Sequence, residues 1–330
     1  MKHPRRKFLN LGLAAVAATA GSKFAIAQTY PTRPINMIVP IAAGGNTDAA
    51  ARVLAERMRG SLGQPIIIEN VTGADGSIAA GRAARARPDG YTIDFGALGT
   101  HVLNGALYSL PYDVLNDFEP VSPLGGVPFV VFARKTMPAK DLPELIAWLK
   151  ANPNKASAAI FSPGSHLLTA LFQKQTGTQF ALVPYRGTAP AIQDLVAGQI
   201  DLMLTGLDQL PLVRAGSIKA YAITSDTRLA LASDIPTFAE MGLPALFWSA
   251  WFGLFAPKNT PKDIIGSLNA AAVEALGDPA VRSRLFNLGL EIFPRDRETP
   301  EALGALVKAD AEKWWPIIKA AGIRGSEPGR

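Results

Sequence analysis

Backbone amides, hydroxyls and a few acids are gathered in short polar stretches, each following an apolar run. The first is Ala43-Gly44-Gly45-Asn46-Thr47-Asp48, after Ile38-Val39-Pro40. Glycines let a backbone approach a ligand closely, and a helix N-terminus favours an anion. Two readings stand for it: a cradle of bare N–H groups around a negative group, or a tight turn capped by Asn46 or Thr47. Asp48 fits the helix dipole better than a cation site. Gly99-Thr100-His101, with Asn104, follows the run Tyr91–Gly96, and His101 either donates to a carboxylate or caps a helix. Ser162-Pro163-Gly164-Ser165-His166 reads as a ligand-facing helix start or as a cap. Tyr185-Arg186-Gly187-Thr188-Ala189-Pro190 offers a second anion cradle, made of Gly187, the Thr188 hydroxyl and the Ala189 amide. Asp208, after Thr205-Gly206-Leu207, is the acid best placed to meet an amine or hydroxyl, unless it caps a helix. Gly73-Ala74-Asp75-Gly76-Ser77 reads as a backbone turn with a minor contact role at most.

Catalysis finds little support in these residues. Ser165 and His166 are neighbours, but adjacency in sequence does not set triad geometry, and G-x-S-x-G is absent. A Ser165/His166 hydrolase stands as the enzymatic alternative. The chain has no cysteine, so it has no disulfide, no thiolate nucleophile and no thiolate metal site. Neither HExxH nor a calcium-loop pattern occurs, and neither G-x-G-x-x-G nor a Walker lysine, so no metal and no cofactor is expected.

The elements that must position these stretches alternate. Strands are expected at Ile35–Pro40, Ile66–Asn70, Tyr91–Gly96, Val127–Ala133, Ala158–Phe161, Leu182–Pro184, Asp201–Thr205, Ala220–Thr224 and Trp251–Ala256. Between them the spacing predicts helices: Thr47–Leu62 with Ala50, Leu54 and Met58 on one stripe, Ser77–Ala86, one opened by the Asp141–Glu144 capping box, His166–Thr176, and one begun at Thr188. Thr260-Pro261 and Thr299-Pro300 open two more, each a cap residue before an N1 proline. Such alternation implies α/β architecture with parallel sheets. The last segment has too few strands for its own sheet, so it is expected to return to the first. That gives residues 28–126 plus 250–330 as one lobe and 127–249 as the other, with two crossings, a hinge and a cleft.

The formal charge of +6 is misleading. Residues 1–27 hold Lys2, Arg5, Arg6, Lys7 and Lys23 and no acid, which leaves 28 basic against 27 acidic residues in the remainder. A nearly neutral chain has no surplus to neutralise phosphates, so nucleic acid is not an expected partner. The charged start, the Ala-rich run Phe8–Ala20 and Ala25-Ile26-Ala27 read as an export signal cleaved after Ala27. Its apolar run is too short for a membrane span, which needs roughly 20 residues. Arg5-Arg6 leaves the twin-arginine and general secretory routes both open.

Further stretches carry a resemblance. They are Tyr30-Pro31-Thr32-Arg33-Pro34-Ile35, Gly44-Gly45 with Asp48, Glu69-Asn70 with Gly73 and Gly76, and Arg87-Pro88-Asp89-Gly90-Tyr91-Thr92. Leu110-Pro111-Tyr112-Asp113, Phe118-Glu119-Pro120-Val121, Val183-Pro184-Tyr185-Arg186-Gly187 with Ala189-Pro190-Ala191, and Asp234-Ile235-Pro236-Thr237 with Gly242 continue it. Together they resemble the periplasmic solute-binding proteins of tripartite tricarboxylate transporters, often called Bug proteins. The resemblance implies a two-lobed, Venus-flytrap α/β fold that closes over a small carboxylate and serves membrane transporter subunits; a monomer is expected. It implies a carboxylate pinched by amides, hydroxyls and waters at Ala43 to Asn46, Thr100, His101, Ser165, Arg186, Thr188 and Ala189. The family's Pro-Gly-Gly after an aromatic is Ile41-Ala42-Ala43-Gly44-Gly45 here, which alters the pocket wall, so the ligand's identity is not carried over. A sensing module that docks on a signalling receptor would bind the same ligands and stands as a further alternative.

Overall fold

The computed structural model describes residues 30–185, 187–320 and 322–323. The strands, in chain order, are Ile35–Val39 (β1), Ile66–Asn70 (β2), Thr92–Ala97 (β3), Phe118–Pro128 (β4), Val130–Arg134 (β5) and Ser157–Ile160 (β6). Ala181–Pro184 (β7), Leu202–Thr205 (β8), Ile218–Ile223 (β9), Ser249–Pro257 (β10) and Glu291–Ile292 (β11) complete them. They form two sheets, ordered β11-β4-β10-β3-β1-β2 and β7-β6-β8-β5-β9. The helices are Asn46–Leu62 (α1), Ser77–Ala84 (α2), Asn104–Leu107 (α3), Leu142–Ala151 (α4) and Pro163–Thr176 (α5). Then come Thr188–Ala197 (α6), Leu210–Arg214 (α7), Lys262–Gly277 (α8), Pro279–Asn287 (α9) and Pro300–Ala320 (α10).

Local sequence explains the first unit. β1 is buried at Ile35, Met37, Ile38 and Val39, as a strand covered on both faces must be. α1 buries Ala51, Leu54, Met58 and Leu62 along one stripe and stops at Gly63. That stripe packs on α8, which buries Leu268, Ala272 and Ala275. Each fully buried leucine or methionine contributes about 1.5–3 kcal/mol, so this layer fixes the position of the loop before α1.

Neither sheet is wholly parallel. β1, β2 and β3 are parallel, as are β6, β7 and β8, but β10 runs antiparallel to β3 and β4, and β5 antiparallel to β8 and β9. The antiparallel strands are those on which the chain leaves and re-enters a sheet, so no crossover helix reverses them. The single strand expected at Val127–Ala133 is two: β4 ends at Pro128, β5 starts at Val130, and Phe129 between them changes sheet. Most of β4 was hidden by Pro120, Pro123, Gly125 and Gly126; register shifts between β4 and β10 accommodate the prolines.

Thr224 laces the two crossings together. Its hydroxyl accepts from the Phe129 amide at 2.8 Å and donates to the Trp248 carbonyl at 2.6 Å, while its own amide donates to the Phe129 carbonyl at 2.9 Å. The Trp248 ring lies 5.0 Å from Trp314 of α10. That helix is fastened by indoles: Trp251 and Trp314 both donate to Asp310, at 2.6 and 3.1 Å, and Trp315 donates to the Val102 carbonyl at 2.9 Å. No helix among the described residues is long and apolar enough to cross a membrane. The expected export signal lies outside the described residues.

Candidate functional site

Register places the site. Thr205, the last residue of β8, pairs with Val130, directly after the crossing at Phe129. Ser249, the first of β10, pairs with Pro128, directly before it, and Ala97 of β3 pairs with Phe252. The C-terminal ends of the parallel strands in both sheets therefore lie on the crossing side, where α5 touches the turn Gly99–Leu103 of the other sheet. Open α/β sheets bind ligands at that edge.

The loop after β1 is exposed from Ala42 to Asn46, with Ala43 and Gly44 at its tip and Gly44 at φ +94°. Gly45 precedes α1 and no side chain caps that helix. Neither Asn46 nor Thr47 is the cap: each already lies inside α1. The Gly44 amide is not bare. It donates to Asp48 Oδ2 at 2.9 Å, and Asp48 also accepts from Arg52 Nε at 2.9 Å and Asn70 Nδ2 at 2.9 Å. The Arg52 bond, with those of Gly44 and Asn70, outweighs burial and holds the Asp48 carboxyl down at about 2. Asp48 thus braces the loop, and the amides of Gly45, Asn46 and Thr47 find no acceptor among the described residues.

The counterpart in the second sheet is α6. Gly187 stands before it at φ +118°, a conformation that strains any other residue, and no side chain caps it. Thr188 is half-buried, and Ala189 is exposed. Arg186 lies outside the described residues.

Four expected contacts sit behind this surface. His101 has no exposed surface: it stacks on Phe255 with ring centroids 4.0 Å apart, Nδ1 lies 2.9 Å from Thr100 Oγ1, and Nε2 lies 3.3 Å from Asp94 Oδ2. Burial lowers the His101 pKa and raises that of Asp94, so both favour their neutral forms. The reading of His101 as a donor to a ligand carboxylate is therefore corrected: here it is a core group that fixes the 97–101 turn. The Thr100 hydroxyl is bound to its own turn, accepting from the Ala97 amide and donating to the Ala97 carbonyl. Asn104 is fully buried and donates to Ser77 Oγ at 2.9 Å and the Asp75 carbonyl at 3.0 Å. It holds the Gly73–Gly76 turn, in which Ala74 and Asp75 are left-handed.

Ser165 is corrected in the same way. Its hydroxyl accepts from the Phe161 and Ser162 amides at 2.9 and 3.0 Å and donates to the Ser162 carbonyl at 3.0 Å, while its amide donates to Ser162 Oγ. This is a capping box, so α5 starts at Pro163 rather than His166. A buried, fully engaged hydroxyl is no nucleophile. His166 is half-buried, burial lowers its pKa, and its ring has no hydrogen-bond partner among the described residues. Asp208 keeps solvent access in the turn Leu207–Gln209 after β8. Sequence reading missed Thr224 and Asp94, neither of which carries a local motif. A cavity of about 320 Å³ lined by Asn36, Ile38, Arg82, Arg85, Ala86 and Thr92 lies at the starting ends of β1 and β3, opposite the glycine loop. Two of its polar groups are engaged with each other through Glu69, which accepts from Asn36 Nδ2 at 2.6 Å and pairs with Arg82.

A family model described as the tripartite tricarboxylate transporter family receptor, TctC, matches residues 50–323. The chain belongs to this family. Among curated relatives, BugT of Bordetella pertussis is 37% identical over 316 residues, covering 93% of this chain and 95% of BugT. Among solved structures, the periplasmic binding protein BugD is 38% identical with a TM-score of 0.81, covering 89% of this chain and 99% of BugD. MatC from Rhodopseudomonas palustris, solved with bound malate, is 39% identical with a TM-score of 0.80, covering 88% of this chain and 100% of MatC. An R. palustris protein solved with adipate has 34% identity and a TM-score of 0.82, covering 89% and 99%. This TctC-family chain is a two-lobed α/β solute-binding receptor and not an enzyme.

Proposed function

We propose that the protein is exported, captures a small mono- or dicarboxylate in the periplasm, and delivers it as a monomer to the membrane subunits of a tripartite transporter. One observation carries the reading: α1 and α6, from opposite sheets, both begin at a glycine with no side-chain cap. Their first amides are free to donate to an anion, and the helix dipoles favour it. The malate and adipate in two relatives support a carboxylate. The proposed contacts are the amides of Gly45, Asn46, Thr188 and Ala189, and the side chains of His166, Arg186 and Asp208. Ala43, Gly44 and Gly187 shape the two loops, while Asp48, Thr100, His101, Asn104 and Ser165 act from behind them. The lobes are taken as 28–126 plus 250–330 and 127–249, hinged where Thr224 joins Phe129 and Trp248, and the signal as cleaved after Ala27.

Micromolar capture needs about 8 kcal/mol. A few charge-assisted hydrogen bonds at ~1.5–3 kcal/mol each, strengthened as the lobes close and exclude water, suffice after ordering costs. Backbone donors lose no rotamer entropy when the ligand arrives. A thermal-shift panel of C4–C6 dicarboxylates, citrate, aromatic carboxylates and acidic amino acids tests the reading. At 100 times its Kd a true ligand adds about 2.7 kcal/mol, a rise in Tm of roughly 4 °C. A panel without any shift, or turnover of activated esters that Ser165→Ala removes, would overturn it.

A further inference from the structure

Both carboxyl oxygens of Asp94 and Nε2 of His101 are buried and have no hydrogen-bond partner among the described residues, yet Oδ2 and Nε2 stand 3.3 Å apart. The Thr100 hydroxyl determines what passes between them. It has one hydrogen, which goes to the Ala97 carbonyl at 3.1 Å, and its oxygen accepts from the Ala97 amide at 3.0 Å. In its 2.9 Å contact with His101 Nδ1 it can therefore only accept, so Nδ1 carries the ring hydrogen. A neutral imidazole of this tautomer leaves Nε2 bare. An ionised Asp94 would be a buried charge facing that bare nitrogen, with no donor and no cation to meet it. A protonated Asp94 needs neither, because its own O–H has Nε2 as an acceptor.

The surroundings supply no charge that changes this balance. Ile38 of β1 and Phe255 of β10 are the register partners of Asp94, and Phe118 of β4 and Phe255 cover the His101 ring. α2 packs on β3 with Ala79, Ala80 and Ala83 buried, and its exposed Arg82 pairs with Glu69. The Tyr112 hydroxyl is the titratable group that senses Asp94, and burial pushes it up to about 12. Around the 99–103 turn, α5 brings His166, α10 brings Asp310, which Trp251 and Trp314 hold, and the Gly73–Gly76 turn brings Asp75, which accepts from Tyr108. Burial alone raises the Asp94 carboxyl, to about 8.

We propose that Asp94 is a protonated positioning residue: at neutral pH its carboxyl O–H donates to His101 Nε2, and through that ring it seats Thr100 and the 97–101 turn at the cleft edge. This role is separate from carboxylate capture, and its test needs no ligand. Loss of the proton sets two acceptors 3.3 Å apart. The ring answers by moving its hydrogen from Nδ1 to Nε2, which lets go of Thr100. The folded carboxyl titrates at about 8 against 3.8 in the open chain, so its contribution is whole below about pH 4 and drains away as pH rises to about 8.

Proton–nitrogen correlation NMR on the protein with selectively labelled histidine tests the proposal. The chain has three histidines, and His166→Gln identifies one of the two in the described residues. His101 is expected as the neutral Nδ1–H tautomer with a bare Nε2 at about pH 7. An Nε2–H tautomer or an imidazolium there overturns the proposal. Asp94→Asn offers a carboxamide N–H in place of the carboxyl O–H and should keep the Nδ1–H tautomer. Urea unfolding then separates charge from shape. Between about pH 5 and 8, the unfolding equilibrium of wild type should rise against that of Asp94→Asn by roughly tenfold per pH unit. A ratio that stays flat with pH also overturns the proposal. If Asp94→Asn does not fold, the wild-type tautomer decides alone.

Discussion

Helices α1 and α5 begin in equivalent places, each after a parallel strand at the cleft edge of its sheet, and the sequence treats their first turns in opposite ways. α5 is closed on itself: Ser162 and Ser165 exchange side-chain and backbone bonds, and little of its polar start remains to donate outward. α1 is left open: Gly45 offers no side chain, and the one acid in its first turn bends back to hold the Gly44 amide. α6 repeats the open form at Gly187. An unsatisfied helix start in exposed backbone costs little while water covers it, and becomes a binding site when an anion replaces the water. Capping chemistry, more than the helix dipole common to all three, separates a start that stabilises the fold from one that is free to work.

The largest effect should come from closing α1 by force. Gly45 has φ −84°, which any residue adopts, and a side chain there meets Ile41 at an ordinary 3.8 Å. Gly45→Val is therefore expected to fold normally, with Tm within a few degrees, and to weaken the best panel ligand by roughly 100-fold or more by crowding the amides. An affinity within about threefold of wild type in calorimetry would break the contrast at once. Next is the brace. Asp48 has a folded pKa of about 2 against an ordinary 3.8, so its contribution, about 2 kcal/mol, is present above pH ~4 and fades as pH falls toward 2. Asp48→Asn should lower stability by about 1–2 kcal/mol at pH 7 in urea unfolding, with the gap to wild type closing below pH ~4. A gap that is flat with pH would mean the charge is not what holds the loop. Smaller again is the closed start: Ser162→Ala should cost about 1 kcal/mol of stability and leave affinity within about twofold.

What was legible in advance follows the same division. Strand–helix alternation, the Gly44-Gly45 loop and the returning C-terminal segment could be read because each is local or a matter of order along the chain. A cap was one of the two readings of the Ser162–His166 stretch, and the three-residue spacing of Ser162 and Ser165 is what makes it a capping box. His101 could not be placed, because its fate depends on Phe255 and Asp94, brought to it by two different strands, which turn a polar ring into core. β4 was hidden for a physical reason too. Its prolines lower strand propensity, and only the pairing of β10 along its length, bulges included, overrides them. Thr224 has no signature at all, since the lace across the two crossings is made of residues 129, 224 and 248, far apart in the chain.

The finest test asks whether the open starts grip through the main chain or through side chains. Asn46 and Thr188 are the first residues of α1 and α6, and they are the polar side chains nearest the bare amides. If the amides carry the binding, Asn46→Ala and Thr188→Ala remove neither donors nor dipole. Each should change affinity by less than about threefold and stability by less than about 0.5 kcal/mol. Both remain good residues for a first helical turn, and both are far from the buried stripe that anchors their helices. A loss above about tenfold in either would move the grip to a hydroxyl or a carboxamide, which pays rotamer entropy on binding and reads its ligand by side-chain reach. Small effects from these truncations beside a large one from Gly45→Val leave main-chain donors, preorganised by the strands and left uncapped, as the holders of the anion.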